Sequence, residues 1–188
     1  MGMPATTPYW TRAMLEALPD DDLRHEIIDG IHYVTPSPGV AHQYVSSELH
    51  DALSAYLKTE HVGWLFYPPC DIELAEDTII QPDLVVLPRT GNKPPRSWKE
   101  GGLPILAVEI VSPSSASRDR IVKRRRYQRA GVAEYWIADP MAQLIERWRP
   151  SDERPEILTD ALSWKPAGAG TELTIVLHPI FDAITEER

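Results

Sequence analysis

The stretch PILAVEIVSPSSASRDRIVKRRRYQRAGVAEYWIA, residues 104–138, contains two apolar segments separated by a charged one. Residues 104–111 are almost continuously apolar, as expected of a central strand that is buried on both faces. The charged segment, 118–130, reads as a helix that ends at Gly131. Residues 133–138 read as a second strand. A helix that crosses over between two strands predicts a parallel pair in a mixed sheet covered by helices.

The rest of the chain adds further strands and helices around this unit. A hairpin is predicted at Asp29-Gly30, a dipeptide typical of a two-residue turn. Apolar residues at helical spacing predict a long helix over 40–58. The other predicted elements are a short helix over 9–17, strands at 23–28, 31–35, 62–67, 70–75, 79–87 and 143–149, and two or three strands with a final helical turn within 154–188. We therefore expect one α/β domain over 1–188, of the α+β mixed-sheet kind, with an N-terminal hairpin and C-terminal strands.

The charge of the chain is unevenly distributed. The formal net charge is -9, which taken alone argues against nucleic-acid binding. Seven basic residues and only one acid lie between Arg118 and Arg129. On charge alone, a solvated helix face is the better interpretation of this segment, and a phosphate-contacting helix is the alternative.

The cellular compartment is indicated only weakly. No apolar run reaches the roughly 18 residues of a membrane helix, and the N-terminus does not resemble a secretory signal. Cys70 is the only cysteine, so no internal disulfide is possible, which fits a reducing compartment. These observations favour a cytoplasmic protein that does not bind a membrane.

Two acids occur in the most apolar predicted strands. Asp83 lies in IIQPDLVVL, residues 79–87, and Glu109 lies in ILAVEIV, residues 105–111. A buried carboxylate is costly unless it is paired or binds a cation. Two such acids on neighbouring strands are typical of a site for a hard metal ion such as Mg²⁺. Pairing of each acid with a nearby Arg or Lys is the alternative.

The predicted helix 118–130 carries a third group of interest. Asp119, Lys123 and Tyr127 are spaced at i, i+4 and i+8 and share one face. A lysine on that face could orient an attacking water and stabilise charge developing on a phosphate. An ordinary Asp–Lys pair on a solvated face has the same spacing.

Four segments together resemble one protein family. The strings are HEIIDGIHYVTPSP (25–38), QPDLVVLP (81–88), AVEIVSPSS (107–115) and RDRIVKRRRYQRAGVAEYWIADP (118–140). They are similar in order and content to the Uma2 (DUF820) family of the PD-(D/E)xK nuclease superfamily. The resemblance covers about residues 24–140. It implies a restriction-endonuclease-like core and a metal-dependent DNA endonuclease that hydrolyses phosphodiester bonds.

The resemblance assigns roles to particular residues. Asp83 matches the PD aspartate and Glu109 the (D/E) position, whereas Val111 stands where a simple E-x-K motif has lysine. Lys123 on the next helix occupies the place of that lysine. Glu26 matches a further acid of the metal site. The implied cofactor is Mg²⁺ or Mn²⁺, held by Asp83, Glu109 and Glu26.

Other residues carry weaker assignments. His42 matches a family histidine and is a catalytic candidate, although a histidine at the edge of an apolar helix stripe is usually structural. Glu48 is a possible helix acid that ranks below Glu26. Backbone contacts to DNA are expected from four arginines: Arg120, Arg124, Arg125 and Arg126. A homodimer is expected by analogy, because cutting two strands needs two sites.

Other chemistries lack their motifs. The sequence contains no G-x-S-x-G, no P-loop, no G-x-G-x-x-G and no H-E-x-x-H. Three alternatives to an active nuclease stay open. They are a nuclease-like module that binds DNA or protein without cutting, a structural or regulatory partner, and a metal-dependent hydrolase of smaller phosphoesters.

Overall fold

The computed structural model describes residues 8–185 apart from Asp20, Asp22 and Pro36. The α-helices within this part are α1 (Arg12–Glu16), α2 (Val40–Glu60), α3 (Arg124–Ala130) and α4 (His178–Thr185). The strands are β1 (Arg24–Ile28), β2 (Ile31–Thr35), β3 (Gly63–Phe66), β4 (Ile72–Ala75), β5 (Thr78–Ile80), β6 (Leu84–Pro88), β7 (Leu106–Ile110), β8 (Glu134–Asp139), β9 (Leu144–Trp148), β10 (Glu156–Leu158), β11 (Ala161–Trp164) and β12 (Leu173–Val176). The predicted termini of the 1–188 domain lie partly outside the described residues. No helix in the described part is long and apolar enough to cross a membrane.

The main sheet has the strand order β10-β9-β8-β7-β6-β3. Strands β7 and β8 pair in parallel, and the other neighbouring pairs are antiparallel. The crossover between β7 and β8 contains the helical segment after Arg118, as the sequence predicts. All five residues of β7 are buried, which confirms the central position expected from its unbroken apolar run.

Two apolar layers cover the faces of the main sheet. On one face, Leu49 and Leu53 of α2 pack in a cluster with Val108 of β7 and Trp136 of β8. On the other face, Tyr127 of α3 packs in a second cluster with Ala107 and other sheet residues. The long helix predicted over 40–58 is confirmed. The mixed-sheet fold class is confirmed with it.

The N-terminal hairpin is also confirmed. Strands β1 and β2 pair antiparallel around Asp29 and Gly30, whose φ angles are 57° and 70°. Positive φ at both central residues is the conformation that favours Asp-Gly in two-residue hairpins. The hairpin belongs to a second sheet with the order β2-β1-β5-β4.

The predicted single strand over 79–87 is wrong. The chain forms β5 and β6 instead, and these strands belong to different sheets. Pro82 separates them, and proline has no N–H to donate to a strand ladder. The N–H of Gln81 donates to Glu26 Oε1 at 2.8 Å. Asp83 consequently lies at the break, immediately before β6, and not within a strand.

The predicted α-helix over 118–130 is only partly correct. Residues Arg118–Lys123 form a π-helical turn that runs directly into α3. Short π-helical turns are frequent at functional sites. The predicted C-terminal cap is confirmed, since Gly131 has φ 84° and its N–H contacts carbonyls of the last turn. The C-terminal strands and final helix are confirmed as well.

Candidate active site

The sheet topology brings the two acids of the apolar strands to one place. Leu84 of β6 is paired with Val108 of the antiparallel neighbour β7. Asp83 at the start of β6 therefore lies beside Glu109 near the end of β7. The Ile110 N–H donates to Asp83 Oδ2 at 2.8 Å, which fixes the aspartate against the residue that follows Glu109.

Asp83 is buried and fully engaged. Its Oδ1 atom accepts a hydrogen bond from the Arg24 guanidinium at 2.8 Å, and His42 Nε2 lies 3.0 Å from Oδ2. Burial by itself raises the pKa of Asp83, but the His42 hydrogen bond and the positive charge of Arg24 outweigh it and lower the pKa to about 2. Asp83 is thus a fixed carboxylate.

Lys123 lies at the centre of a buried group of carboxylates. Its side chain is 1% exposed, and Nζ lies 2.8 Å from Glu26 Oε1 and 2.9 Å from Glu109 Oε1. Asp119 Oδ1 is 3.7 Å away. Burial opposes the charged form, but Glu109, Glu26 and Asp119 together raise the pKa of Lys123 above its ordinary value. The lysine is therefore a permanent cation.

Burial also opposes the charged form of two acids that surround Lys123. It raises the pKa of Glu109 well above the ordinary value and also raises the pKa of Asp119, although Lys123 acts against both shifts. The Tyr127 hydroxyl donates to Glu109 Oε1 at 3.3 Å. Within the described part of the chain, Glu26 Oε2 and Asp119 Oδ1 are buried without a hydrogen-bond partner. These carboxylates are under-compensated in the protein alone.

A cleft of about 150 Å³ opens onto this group. Asp83, Glu109, Asp119 and Lys123 line one part of it. The remainder is lined by Arg24, Arg118, His42 and the serine-rich turn that follows β7. Carboxylates, cations and hydroxyls thus converge on one small polar hollow, which is the arrangement expected of an active site.

Acidic groups outnumber basic ones around the cleft. Four acids (Glu26, Asp83, Glu109 and Asp119) face Arg24, Arg118 and Lys123. Among the described residues, no group of three or more His, Cys, Asp or Glu side chains is arranged to hold a metal ion. A Mg²⁺ site does not require such a group, because Mg²⁺ usually keeps several waters and takes one or two carboxylates together with substrate phosphates.

Comparison with known proteins identifies the family. The family model described as "Uma2: Putative restriction endonuclease" matches residues 12–175. The chain belongs to the Uma2 family. A crystal structure of a putative nuclease belonging to DUF820 from Anabaena variabilis ATCC 29413 has the same fold, with a TM-score of 0.75. The two chains are 22% identical over 92% of this chain and 98% of that one. No curated protein matches the sequence.

The Uma2 residues predicted as catalytic come together in the structure. Asp83, Glu109 and Lys123 line the cleft, and His42 contacts Asp83 there. Glu26 is fully buried and contacts Lys123, but it does not line the cleft. Its predicted role as a metal ligand stays a prediction. Glu48 is exposed on α2 and lies outside the cleft.

The four arginines predicted to bind DNA do not line the cleft of this Uma2 protein. Arg120 forms ion pairs with Asp139 and Glu146 at 2.6 and 2.5 Å. Arg124 lies over the Trp148 ring at 4.6 Å, and Arg126 is paired with Asp29. Arg125 is exposed and forms no ion pair with the residues that the structure describes. Only Arg125 is thus free for an external phosphate without breaking an internal contact.

Two arginines at the cleft were missed by the sequence analysis. Arg24 is two residues before Glu26 in β1, so both side chains lie on the same face of the strand. The alternation of side chains along β1 could therefore have indicated Arg24 as a residue near Glu26. Arg118 directly precedes Asp119, and its guanidinium donates to Thr35 Oγ1 at 2.8 Å. The contact joins positions 83 residues apart, and no local pattern could reveal it.

Proposed function

We propose that this Uma2 protein is a Mg²⁺- or Mn²⁺-dependent DNA endonuclease that hydrolyses phosphodiester bonds. One observation carries the proposal: two buried carboxylates, Asp83 immediately before β6 and Glu109 in the adjacent strand β7, line one cleft beside a buried, charged lysine. The PD-(D/E)xK pattern has these same three groups. Membership of a nuclease family supports the assignment of the substrate as DNA.

The donor chemistry of the cleft fits a hard divalent cation. Carboxylate oxygens are the ligands that Mg²⁺ and Mn²⁺ prefer, and Mg²⁺ usually takes only one or two of them. The buried Asp119 oxygen that lacks a hydrogen-bond partner favours a cation as well. Asp83 and Glu109 would hold the ion. When bound, it would activate a water and neutralise charge on the reacting phosphate.

The protein groups around these ligands have separable tasks. Arg24 and His42 hold Asp83 in one orientation through contacts of 2.8 and 3.0 Å. Lys123 uses two of its three protons on Glu26 and Glu109, which leaves one for a water or a phosphate oxygen. Because Lys123 stays protonated, it orients and stabilises charge but does not act as a base. Arg118 and the serine hydroxyls are placed to bind the phosphate.

A cleavage assay tests the proposal. We expect the purified protein to nick or linearise supercoiled plasmid in Mg²⁺ or Mn²⁺ and to stop when EDTA is added. The same assay on a single-stranded circle tests whether one active site can cut one strand without a second copy of the protein. Metal-independent cleavage, or none of either DNA under any divalent cation, would contradict the proposal.

One alternative has a specific observation in its favour. Asp83 is already paired with Arg24, and Glu109 is already paired with Lys123, which is also what a purely structural role for the acids would require. Under this alternative the protein is a nuclease-like module that binds DNA without cutting it. DNA binding that weakens with salt, in the absence of cleavage, would support this alternative.

The helix arginines give a separate prediction. Arg125→Ala should weaken DNA binding uniformly and reduce the salt slope of log K by about 1, because one phosphate contact is lost. Arg120→Ala should instead lower the free energy of unfolding by about 1 kcal/mol, since it removes a partner of Asp139 and Glu146. Salt titrations of binding and urea unfolding separate the two effects. An unchanged salt slope in Arg125→Ala would exclude Arg125 from the interface.

We also propose a homodimer. A single cleft of this size engages one scissile phosphate, so cleavage of both strands by one assembly requires a second copy.

A further inference from the structure

A second hollow opens beside the catalytic cleft. Its volume is about 460 Å³, within the roughly 300–1,000 Å³ of pockets that hold a small molecule. The two hollows share four lining residues: Arg24, Pro38, His42 and Asp83. The two hollows are therefore adjacent at Asp83, close enough for neighbouring nucleotides of one chain.

An exposed aromatic side chain lies at the far side of this hollow. Tyr67 follows the end of β3 and is 65% exposed. Its ring meets the ring of His50 from α2 edge to face, with centroids 5.7 Å apart. The contact restrains the tyrosine ring while most of the residue stays exposed. A tyrosine held in this way offers a flat apolar surface to a ligand at the cost of little conformational entropy.

The part of the hollow formed by α2 is polar and uncharged between His42 and His50. Gln43, Ser46 and Ser47 supply amide and hydroxyl groups there, and the charged lining residues Arg24 and Asp83 are paired with each other. Arg24 is the one lysine or arginine among the lining residues that the structure describes. Such a lining suits the neutral parts of a nucleotide, its sugar and base, better than a row of phosphates.

The boundary between the two hollows, where both are lined by the same residues, has features that attract a phosphate group. Pro38 and His42 lie there, so the first turn of the 21-residue helix α2 is at the junction. That turn contains no acidic residue, and its N-cap Gly39 offers no side chain to the helix N–H groups. A helix N-terminus attracts anions through these N–H groups and the helix dipole. The phosphate between the two nucleotides would lie at this point, and Arg24 is beside it.

We propose that this second hollow holds the nucleotide next to the scissile phosphate, with its base unpaired and stacked on Tyr67. The substrate class would then be single-stranded DNA, or duplex DNA that is locally unpaired at the point of cleavage. A base inside a duplex is covered on both faces by its neighbours and cannot stack on a protein ring unless it leaves the helix. This inference rests on the proposed nuclease function for the position of the scissile bond.

Three proteins that differ at position 67 test the stacking contact: the wild type, Tyr67→Phe and Tyr67→Leu. Tyr67→Phe keeps the aromatic face, whereas Tyr67→Leu keeps apolar bulk without a face that stacks on a base. Binding of a 12-base single strand containing 2-aminopurine is followed by anisotropy and by quenching of the 2-aminopurine fluorescence, with Ca²⁺ in place of Mg²⁺. Gel analysis of the recovered oligonucleotide establishes that it is uncut. We expect Tyr67→Leu to weaken binding about tenfold and to lose the quenching, and Tyr67→Phe to match the wild type.

The comparison with duplex DNA completes the test. Binding of a blunt 12-base-pair duplex should change less than twofold in either variant, because no unpaired base is available. Equal binding of the single strand by Tyr67→Leu and the wild type, or equal losses in both variants, would overturn the inference. So would a wild type that does not bind the single strand.

Kinetics keep this inference separate from the proposed function. If the protein cuts DNA, Tyr67→Leu should raise KM for the single strand about tenfold and leave kcat unchanged, because stacking is present before and during the reaction. If the wild type shows no metal-dependent cleavage, the proposed function fails, but the binding and quenching results still decide whether Tyr67 stacks on a base.

Discussion

Glu109→Gln and Asp83→Asn should each lower the rate of Mg²⁺-dependent DNA cleavage by about a hundredfold to a thousandfold. Each substitution keeps the shape of the side chain and removes one of the two cleft carboxylates that are proposed to hold the metal ion. Loss of one preorganised electrostatic contact in an active site typically has an effect of this size. The measurement is the initial rate of plasmid nicking, together with calorimetric titration of Mn²⁺. The affinity for Mn²⁺ should fall in both variants.

Glu48→Gln is the matched control for these two variants. Glu48 is an acid on α2 that is exposed and outside the cleft. The DNA cleavage rate and the Mn²⁺ affinity of Glu48→Gln should therefore equal those of the wild type. Circular dichroism and thermal unfolding establish that each variant is folded. A folded Glu109→Gln protein that cuts DNA at the wild-type rate would remove Glu109 from the reaction and leave the binding-module alternative in its place.

The parts of the fold that follow local rules were predictable from the sequence. The Asp29-Gly30 hairpin depends on two residues that tolerate positive φ, and the structure has φ 57° and 70° there. The parallel pair of β7 and β8 follows from an apolar run, a helix and a second apolar run, since a crossover connection places such strands side by side. Each signal is contained in a few neighbouring residues.

The parts that depend on distant contacts were not predictable. The apolar run 79–87 has the composition of one strand, but Pro82 and the bond from Gln81 to Glu26 divide it between two sheets. Gln81 and Glu26 are 55 positions apart in the sequence. The π-helical turn before α3 is similar, because Lys123 within it meets acids from β1 and β7. Pro82 was a local signal against one continuous strand, but the placement of the two halves in different sheets and the π-helical turn both depend on tertiary contacts.

The site was visible in the sequence because it violates ordinary burial preferences. A charged Glu109 between Val108 and Ile110 destabilises a buried strand unless its charge is balanced. In the structure, Lys123 Nζ lies 2.9 Å from Glu109 Oε1. The charge of the basic segment says less about function. Arg120 and Arg126 balance acids of the protein itself, and a charge count cannot distinguish an internal partner from an external phosphate.

Lys123→Met should lower the free energy of unfolding by roughly 3–5 kcal/mol, the range found when one partner is removed from a buried ion pair. The lysine is 1% exposed, and its Nζ is shared by Glu26 and Glu109 with Asp119 nearby. Methionine fills most of the volume but leaves these carboxylates without their cation. Urea unfolding at pH 7 measures the loss. Lys58→Met, an exposed lysine near the end of α2, should change stability by less than about 0.5 kcal/mol.

The pH dependence of this loss distinguishes charge from packing. Burial already raises the pKa values of Glu109 and Asp119, and Lys123 acts against both shifts. Without Lys123, both folded-state pKa values should rise further above their unfolded values. Protonation then stabilises the folded state, so the deficit of Lys123→Met should be largest at neutral pH and should shrink as the pH falls. Adding Glu26→Gln should restore part of the stability at pH 7, since one uncompensated carboxylate is gone. A deficit that is equal at pH 5 and pH 8 and insensitive to Glu26→Gln would mean that Lys123 stabilises the protein by packing. The three carboxylates would then be neutral in the folded protein, and a divalent cation would have to displace protons, not merely water, in order to bind.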